Sequence, residues 1–240
     1  MNEAASAVRA LVFDVFGTVV DWRGSLIAEL TAWGVQTGRT ADWEGLVDAW
    51  RGAYAPSMDR VRRGELPWTN LDALHRASLQ QLAPQYGLAG LDAAALDWVN
   101  RGWHRLRPWP DSVGGLTRLK ARYILSPLSN GNVALLTNMA KAAGLPWDLM
   151  LCAEVFHHYK PDTEVYLGAA ELLGLAPSQV MLCAAHNADL AAARRNGLRT
   201  AFIARPTEYG PHQVRDFEAD SDWDVVVDSI EALADRLLPG

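Results

Sequence analysis

Cysteines, basic runs and long apolar runs are scarce or absent in this 240-residue chain, and each of these absences argues against a class of protein. Cys152 and Cys183 are too few and too far apart for a disulfide framework or a zinc site, so we expect a reducing compartment. No run of Lys and Arg appears and the net charge is -6, which argues against a nucleic-acid partner. The chain also lacks a membrane-length apolar run and a signal-peptide pattern, so we expect a cytoplasmic location and no membrane partner.

The composition that remains is typical of a folded domain. Hydrophobic residues make up 50% of the chain and charged residues 21%. A chain of this length can form one large domain, or a core that carries a smaller insertion.

The stretch from Ala10 to Thr18 combines a strand with an acid. Ala10 to Phe13 predicts a strand that is buried on both faces and that stops at Asp14. Open α/β sheets place their ligand crevice at the carboxyl ends of the strands, where Asp14 would lie. Gly17 permits a tight turn that leaves Thr18 facing the same crevice. The alternative is that Asp14 only caps a turn.

Residues 21–105 show helical periodicity and no convincing strand. Leu46, Trp50 and Tyr54 recur at helical spacing, and seven of the ten tryptophans fall in this region, where most are expected to be core residues. Asp42 and Asp92 are predicted helix N-caps. The pattern therefore predicts a helical insertion.

Glycine and proline are expected to punctuate this region. Gly34, Gly64 and Gly87 are predicted to separate its helices. The segment 107–111, Arg-Pro-Trp-Pro-Asp, is a stiff connector that ends the insertion.

Strands and helices alternate through the rest of the chain. Further strands are predicted at 123–128, 149–152, 179–183, 200–204 and 225–227. Such alternation predicts an α/β fold with a parallel, Rossmann-like sheet flanked by helices. We therefore expect a discontinuous core of residues 1–20 and 107–240, with residues 21–106 as a helical-bundle cap inserted after the first strand.

Polar residues follow several of these strands and begin one helix. They are Asp14 and Thr18, Ser129 and Asn130, Lys160, and His186 and Asp189. Each has a purely structural alternative: the Ser129 segment can be a helix-capping turn, and Lys160 can be a solvated lysine. Their order and their common place at one sheet edge favour a site.

The same pieces, in the same order, resemble the haloacid dehalogenase superfamily, and within it the (S)-2-haloacid dehalogenases (type II). The motifs that carry this resemblance are FDVFGT from Phe13 to Thr18, LSNG from Leu128 to Gly131, YKPD from Tyr159 to Asp162 with Tyr166, and AWR ending at Arg51. HNADLAAAR from His186 to Arg194 and RPTEYG from Arg205 to Gly210 look like one branch of that group.

The resemblance also separates a dehalogenase from the Mg²⁺-dependent phosphatases of the superfamily. Such phosphatases carry a second Asp two residues after the nucleophile, where this chain has Phe16. They also need paired carboxylates near the fourth strand, whereas here Asp189 is followed by Leu190. A halide leaving group needs no protonation, so an apolar Phe16 suits it. We therefore expect no metal and no cofactor.

The resemblance assigns the first half of a mechanism to four residues. It implies that Asp14 attacks the α-carbon and forms an aspartyl ester, and that Lys160 and Thr18 hold that carboxylate in place. It also implies that Arg51, on the cap, meets the substrate and the departing halide.

The remaining site residues are implied in substrate binding and ester hydrolysis. Ser129 and Asn130 would bind the substrate carboxylate, beside a helix N-terminus. His186 and Asp189 are both candidates for activating the hydrolytic water, and Tyr166 would support them.

Two positions depart from the family pattern. Relatives often carry Asn where this chain has His186, and an aromatic ring where it has Ala188. Some members accept fluoroacetate, so release of fluoride is a hypothesis for this chain. The expected partners are a small halogenated carboxylate, water and, through exposed cap surface, a second copy in a homodimer.

Two rival functions remain open. The first is a Mg²⁺-dependent small-molecule phosphatase of the same superfamily. The second is a non-catalytic α/β ligand-binding module, although no strand is followed by a dinucleotide-binding or P-loop motif.

Overall fold

The strands of this computed structural model all lie within residues 7–238, the part of the chain that it describes. In chain order they are β1 (Ala10–Phe13), β2 (Val20–Asp21), β3 (Arg107–Pro108), β4 (Ile124–Ser129), β5 (Leu151–Cys152), β6 (Val180–Ala184), β7 (Arg199–Ile203) and β8 (Val225–Val227). Six of them form one parallel sheet in the order β5-β4-β1-β6-β7-β8. The predicted α/β fold with a parallel sheet is confirmed.

Helices cover the sheet and fill the insertion after β2. They are α1 (Trp22–Thr37), α2 (Trp43–Gly52), α3 (Tyr54–Arg62), α4 (Leu71–Leu82), α5 (Ala93–Asn100), α6 (Ser112–Leu119), α7 (Val133–Ala143), α8 (Ala153–Phe156), α9 (Thr163–Leu172), α10 (Asn187–Arg195) and α11 (Ile230–Leu237). Short 3-10 helices lie at Ala83–Tyr86, Arg101–Arg105, Pro177–Gln179 and Gly210–His212. No helix of the described residues is long and apolar enough to cross a bilayer.

The central strand β1 is apolar because both of its faces are covered. Leu11 and Phe13 belong to one hydrophobic core, and Ala10 and Val12 belong to a second core on the opposite face. All four side chains are fully buried, as predicted for a strand inside a parallel sheet. Because β1 lies between β4 and β6, the residues that follow these three strands meet at one edge.

The inserted helices leave and rejoin the sheet at adjacent points. β2 and β3 pair antiparallel, with Val20 opposite Pro108. Asp21, Asp42 and Asp92 accept hydrogen bonds from backbone N–H groups in the first turns of α1, α2 and α5, so both predicted N-caps form. The end of the connector is also fixed, because the Asp111 carboxylate accepts from Arg205 at 2.8 and 2.9 Å.

The core of the inserted helices is an aromatic cluster around Trp103. His75 stacks on Trp103 at 4.3 Å between ring centroids, and Trp50 and Phe16 meet it edge-on at 5.4 and 5.7 Å. Burial lowers the pKa of His75 to about 3, so its ring is neutral in this apolar setting. Phe16 thereby links the turn after β1 to the inserted helices.

Two details of the insertion differ from the prediction. Gly34 does not separate helices: it lies inside α1, where a Cβ would come within 2.4 Å of the Trp43 ring, and Gly38 ends the helix with φ +66°. The residues Leu46, Trp50 and Tyr54 do not share one helix, because α2 ends at Gly52 and α3 begins at Tyr54.

Other boundaries shift at element ends, where the periodic signal is weakest. The strand predicted at 123–128 runs from Ile124 to Ser129, and the strand predicted at 149–152 begins at Leu151. The division into a core and a cap at residues 21 and 106 stays a prediction.

Candidate active site

Asp14 lies immediately after β1 with both carboxylate oxygens engaged. Lys160 Nζ donates to Oδ1 at 3.0 Å. The Thr18 hydroxyl donates to Oδ2 at 2.8 Å, and His186 Nδ1 lies 3.1 Å from the same oxygen. The Thr18 hydroxyl oxygen in turn accepts from the Ala185 N–H at 2.9 Å. These contacts fix the carboxylate in one orientation.

The charge on Asp14 is set by its neighbours. Burial opposes ionisation of this carboxyl, but the charge of Lys160 and the hydrogen bond and charge of His186 outweigh it and hold the pKa well below its usual range. Asp14 is therefore a carboxylate at any pH near neutrality, although only 7% of the residue is exposed.

Lys160, Asp189 and Tyr166 form a chain of hydrogen bonds on the Oδ1 side of Asp14, which we name the inner arm. Lys160 Nζ also donates to Asp189 Oδ2, and the Tyr166 hydroxyl donates to Asp189 Oδ1 at 2.6 Å. Burial disfavours charge on Lys160, but Asp14 and Asp189 outweigh it and raise the pKa of its ammonium. Burial, reinforced by Asp189, raises the pKa of Tyr166, so its hydroxyl stays a donor.

His186, Glu208 and Trp22 form a second chain of hydrogen bonds on the Oδ2 side of Asp14, which we name the outer arm. His186 Nε2 lies 2.9 Å from Glu208 Oε2, and Trp22 Nε1 donates to Glu208 Oε1 at 3.0 Å. Glu208 follows β7 and is 1% exposed. Sequence reasoning assigned it no role, although the RPTEYG motif that contains it was a visible signal.

The turn after β1 is shaped around Glu208. Gly17 has φ +90°, a conformation that favours glycine. A Cβ at Gly17 would come within 2.2 Å of the Glu208 carboxylate. Both the backbone conformation and the close approach therefore require glycine at this position.

Arg51 reaches the site from the last turn of α2. Its guanidinium lies over the Tyr54 ring at 4.2 Å and over the Trp22 ring at 5.3 Å, and its NH2 group is 4.0 Å from Glu208 Oε1. Among residues 7–238, the buried Nε of Arg51 has no hydrogen-bond partner. A buried guanidinium donor without a partner is suited to an anion in the adjoining cavity.

Two adjoining cavities meet at this cluster. The smaller one, which we name the catalytic cavity, measures about 220 Å³. It is lined by Asp14, Phe16, Arg51, Tyr54, Asn130, Lys160, Pro161, Tyr166, His186, Ala188 and Asp189. An outer cavity of about 730 Å³ shares Arg51, Tyr54, His186 and Ala188 with it. The catalytic cavity has the size of a small organic acid rather than a nucleotide.

The segment after β4 contributes less than predicted to the cavity wall. Asn130 lines the catalytic cavity and its Oδ1 accepts from the Lys160 backbone N–H at 2.7 Å. Ser129 is fully buried, its hydroxyl oxygen accepts from the Gly131 N–H at 3.1 Å, and it is outside the lining of either cavity. Its predicted contact with substrate stays a prediction, whereas its observed contact holds the turn that presents Asn130.

The positions that would distinguish a metal-dependent phosphatase are apolar and buried. Phe16 is 2% exposed and Leu190 is fully buried. Within residues 7–238, no group of three or more His, Cys, Asp and Glu side chains is arranged to hold a metal ion. Both oxygens of Asp14 already accept from protein donors.

The fold agrees with the comparisons with known proteins. A sequence model of the haloacid dehalogenase-like hydrolases matches residues 8–197. The chain therefore belongs to the haloacid dehalogenase-like hydrolase family.

Within this family, the relatives share a narrower description. The chain is 30% identical over 216 residues to (S)-2-haloacid dehalogenase 4A of Burkholderia cepacia, which covers 85% of this chain and 87% of the relative. It is 31% identical over 215 residues to (S)-2-haloacid dehalogenase 1 of Pseudomonas sp. (strain CBS-3), which covers 84% and 88%.

Solved structures give the same answer. An L-2-haloacid dehalogenase is 56% identical and superposes with a TM-score of 0.93 over 96% of this chain and 98% of that chain. A defluorinating L-2-haloacid dehalogenase is 46% identical, with a TM-score of 0.93 over 96% and 95%. The predicted resemblance to the (S)-2-haloacid dehalogenases is confirmed.

Proposed function

We propose that this protein hydrolyses short 2-haloalkanoic acids, such as haloacetates and (S)-2-halopropionates, to 2-hydroxy acids through an ester on Asp14, without a metal. The observation that carries this proposal is the environment of Asp14. It is a buried carboxylate, held ionised by two cationic neighbours, at the wall of a small cavity that Arg51 also lines, and within residues 7–238 the Arg51 Nε has no hydrogen-bond partner. The dehalogenase relatives support the same chemistry.

The first step is attack by Asp14 on the α-carbon. Oδ1 accepts one hydrogen bond and Oδ2 accepts two, so Oδ1 keeps the lone pair that is more available for attack. A carboxylate is a weak nucleophile, and its fixed orientation and burial raise its effective reactivity. The carbon–halogen bond breaks as the Oδ1–carbon bond forms, and the halide leaves with the electron pair.

Arg51 and Asn130 serve the anionic groups of the substrate. Within residues 7–238, the buried Nε of Arg51 has no acceptor, and Arg51 lines the catalytic cavity beside Tyr54. A planar guanidinium can bind the substrate carboxylate or the departing halide. The Asn130 side-chain amide lines the same cavity and can donate to the carboxylate.

The second step is hydrolysis of the ester, and Asp189 is the better of the two candidates for activating water. Asp189 lines the catalytic cavity and is a carboxylate held by Lys160 and Tyr166. The two ring nitrogens of His186 both lie against carboxylate oxygens. A ring in that position has no free lone pair with which to accept a proton from water.

Phosphate ester hydrolysis is less well supported. A phosphatase of this superfamily protonates its leaving group from the position that Phe16 occupies, and Phe16 packs edge-on against Tyr54 and Trp103 at 6.3 and 5.7 Å. An apolar ring cannot donate a proton. A non-catalytic ligand-binding module does not account for an ionised carboxylate that is buried at the wall of the catalytic cavity.

Four finer properties belong to the same proposal. The site lies where a cap of residues 21–106 closes on a core of residues 1–20 and 107–240, and the protein works in the cytoplasm as a homodimer. Fluoroacetate is a candidate substrate, because one relative is a defluorinating enzyme and because His186 and Ala188 line the catalytic cavity.

One assay separates the functions. Purified protein is given chloroacetate, (S)-2-chloropropionate or a phosphate ester, each with and without EDTA, and free halide and phosphate are measured. We expect halide release that is unchanged by EDTA and no release of phosphate. Phosphate release that disappears with EDTA and returns with Mg²⁺ would assign the phosphatase function instead.

A further inference from the structure

We propose that Glu208 is a positioning residue that keeps His186 doubly protonated, so that His186 donates to the oxyanion formed on Asp14 Oδ2 during ester hydrolysis. This inference rests on the proposed function and extends it to a residue that motif matching did not assign. His186 is then a catalytic residue, because it contacts a reacting atom, and Glu208 acts through it.

The hydrogen-bond geometry requires a doubly protonated ring. His186 Nδ1 lies 3.1 Å from Asp14 Oδ2, and Nε2 lies 2.9 Å from Glu208 Oε2. Carboxylates only accept, whereas a neutral imidazole has one N–H donor and one lone pair. A neutral ring would place that lone pair against a carboxylate oxygen. An imidazolium satisfies both contacts.

The charges around His186 also favour the doubly protonated ring. Burial disfavours the charged ring, but the negative charges and hydrogen bonds of Glu208 and Asp14 outweigh it and raise the pKa of His186 well above 6.5. Burial also opposes ionisation of Glu208, but His186, Arg51 and the Trp22 N–H outweigh it and lower the pKa of that carboxyl.

The other charged groups at the two cavities do not cancel this effect. The cations are Lys160, Arg51 and Arg215, and the anions are Asp48, Asp189, Asp216 and Asp220. Lys160 is bonded to Asp14 and Asp189, and Arg51 lies 4.0 Å from Glu208. Asp48 is held by Arg23 at 2.8 Å. Within residues 7–238, the hydrogen-bond partners of the His186 ring nitrogens are Asp14 and Glu208, and none of these other groups is among them.

The ester places its carbonyl oxygen in this contact. If Oδ1 attacks the substrate, Oδ1 becomes the ester oxygen and Oδ2 remains the carbonyl oxygen. Oδ2 is the atom that faces the Thr18 hydroxyl at 2.8 Å and His186 Nδ1 at 3.1 Å. Two preorganised donors at a carbonyl oxygen form an oxyanion site, and one of them here is a cation.

Hydrolysis of the ester proceeds by addition of water and then loss of the alkoxide. Water oxygen bonds to the Asp14 Cγ, the carbonyl electron pair moves to Oδ2, and one water proton passes to Asp189. The oxyanion re-forms the carbonyl and expels the alkoxide, which takes the proton back from Asp189 to give the 2-hydroxy acid. The second water proton leaves to solvent when the new Asp14 carboxyl ionises.

The charge on His186 has opposite consequences in the two steps. In the attack, Asp14 loses negative charge, so an adjacent imidazolium stabilises the starting carboxylate and gives no acceleration. In the hydrolysis, negative charge develops on Oδ2, so the same imidazolium stabilises the transition state. Loss of the Glu208 charge should therefore slow hydrolysis and spare halide release.

The test is Glu208→Gln, which keeps the size of the side chain and an acceptor for Trp22. Rapid-quench measurement with (S)-2-bromopropionate follows the first equivalent of bromide, and intact-protein mass spectrometry follows the ester on Asp14. We expect ester hydrolysis to slow about 100-fold while bromide release changes less than about threefold, so that the ester accumulates. Glu29→Gln, which alters a Glu paired with Arg105 away from both cavities, should match the wild type.

The pH profile adds a readout that a merely structural role would not produce. A cation with a raised pKa keeps its effect as pH rises, and it loses that effect once pH passes the pKa. Hydrolysis by the wild type should therefore keep its rate as pH rises above 6.5, whereas in Glu208→Gln it should fall over the same range, because the pKa of His186 moves back toward its ordinary value.

Other outcomes would overturn the inference. They are a Glu208→Gln protein that hydrolyses the ester at the wild-type rate across this range, or one in which both steps slow equally. A wild-type protein that releases no bromide would instead overturn the proposed function beneath it.

A measurement on the wild type covers the case in which the variant does not fold. ¹⁵N NMR of ring-labelled histidine, assigned by the loss of one signal set in His186→Gln, should show two protonated nitrogens for His186 at about pH 7.5, where an unperturbed imidazole is mostly neutral. One unprotonated ring nitrogen would contradict the inference.

Discussion

The inner and outer arms that meet at Asp14 look alike but hold their charge in different ways. Each places a cation against one carboxylate oxygen and a second carboxylate behind the cation. In the inner arm the cation is Lys160, which is charged over the whole physiological range. In the outer arm it is His186, whose charge depends on Glu208. In the proposed mechanism, the permanent cation orients the nucleophile and the conditional one stabilises the later oxyanion.

The protonation state of His186 also sets the net charge of the site. Asp14, Asp189 and Glu208 are opposed by Lys160 and Arg51, which leaves one negative charge. An anionic substrate would enter such a site at a cost. Protonation of His186 makes the cluster neutral, which lowers that cost.

Breaking the inner arm should have the largest effect. Lys160→Met leaves the buried Asp14 and the half-buried Asp189 without their shared cation. We expect kcat to fall about 1,000-fold, with slow halide release, and unfolding free energy to fall by about 3–5 kcal/mol. Rapid-quench bromide assays and chemical denaturation measure these effects.

The matched control for that change is Lys120→Met. Lys120 pairs with Asp148 at 2.8 Å on the surface, where an ion pair contributes about 0–1 kcal/mol. If Lys160→Met slowed ester hydrolysis and left bromide release intact, the two arms would not divide the steps as described.

Arg51 is the next largest expected effect, and it extends the comparison to the inserted helices. Arg51→Lys keeps the charge but loses the planar donor group that faces the catalytic cavity. We expect kcat/KM for (S)-2-chloropropionate to fall roughly 100-fold, about 2.7 kcal/mol of transition-state stabilisation, with little change in Tm. The exposed Arg101→Lys is the control. Near-normal kinetics in Arg51→Lys would contradict a part for the inserted helices in the chemistry.

The sequence predicted the inner arm better than the outer arm. Lys160, Tyr166 and Asp189 lie in or near motifs that could be matched one residue at a time, and the structure brings these three together as predicted. His186 was singled out too, but as a candidate for water activation. Its role depends on the acceptors facing both nitrogens, and these are set by three-dimensional contacts.

Glu208 shows why the outer arm could not be predicted from the sequence. It follows β7, which neighbours β6 in the sheet, but chain order alone does not give strand order. Its burial also depends on the turn at Gly17, 191 residues earlier, where a side chain would collide with it. A glutamate in a loop motif is most often solvated, so composition gave no reason to place it in the core.

Tyr166 should give the smallest effect in the inner arm. Tyr166→Phe removes the hydroxyl that donates to Asp189 Oδ1 at 2.6 Å and changes no charge. We expect ester hydrolysis to slow about 10-fold and stability to fall by about 1.5–3 kcal/mol. Steady-state kinetics and thermal unfolding measure both. Tyr123→Phe, which loses a bond to the Leu237 carbonyl away from both cavities, is the control, and equal kinetic effects in the two variants would contradict a role for Tyr166.

The central claim is that Asp14, rather than water, attacks the substrate. The most direct test is a single turnover of excess protein with (S)-2-chloropropionate in ¹⁸O-labelled water, followed by mass spectrometry of the peptide that contains Asp14 and of the product. We predict that the label enters the Asp14 carboxylate and is absent from the 2-hydroxypropionate. Label in the hydroxy acid with none on Asp14 would show direct attack by water and would contradict the ester mechanism.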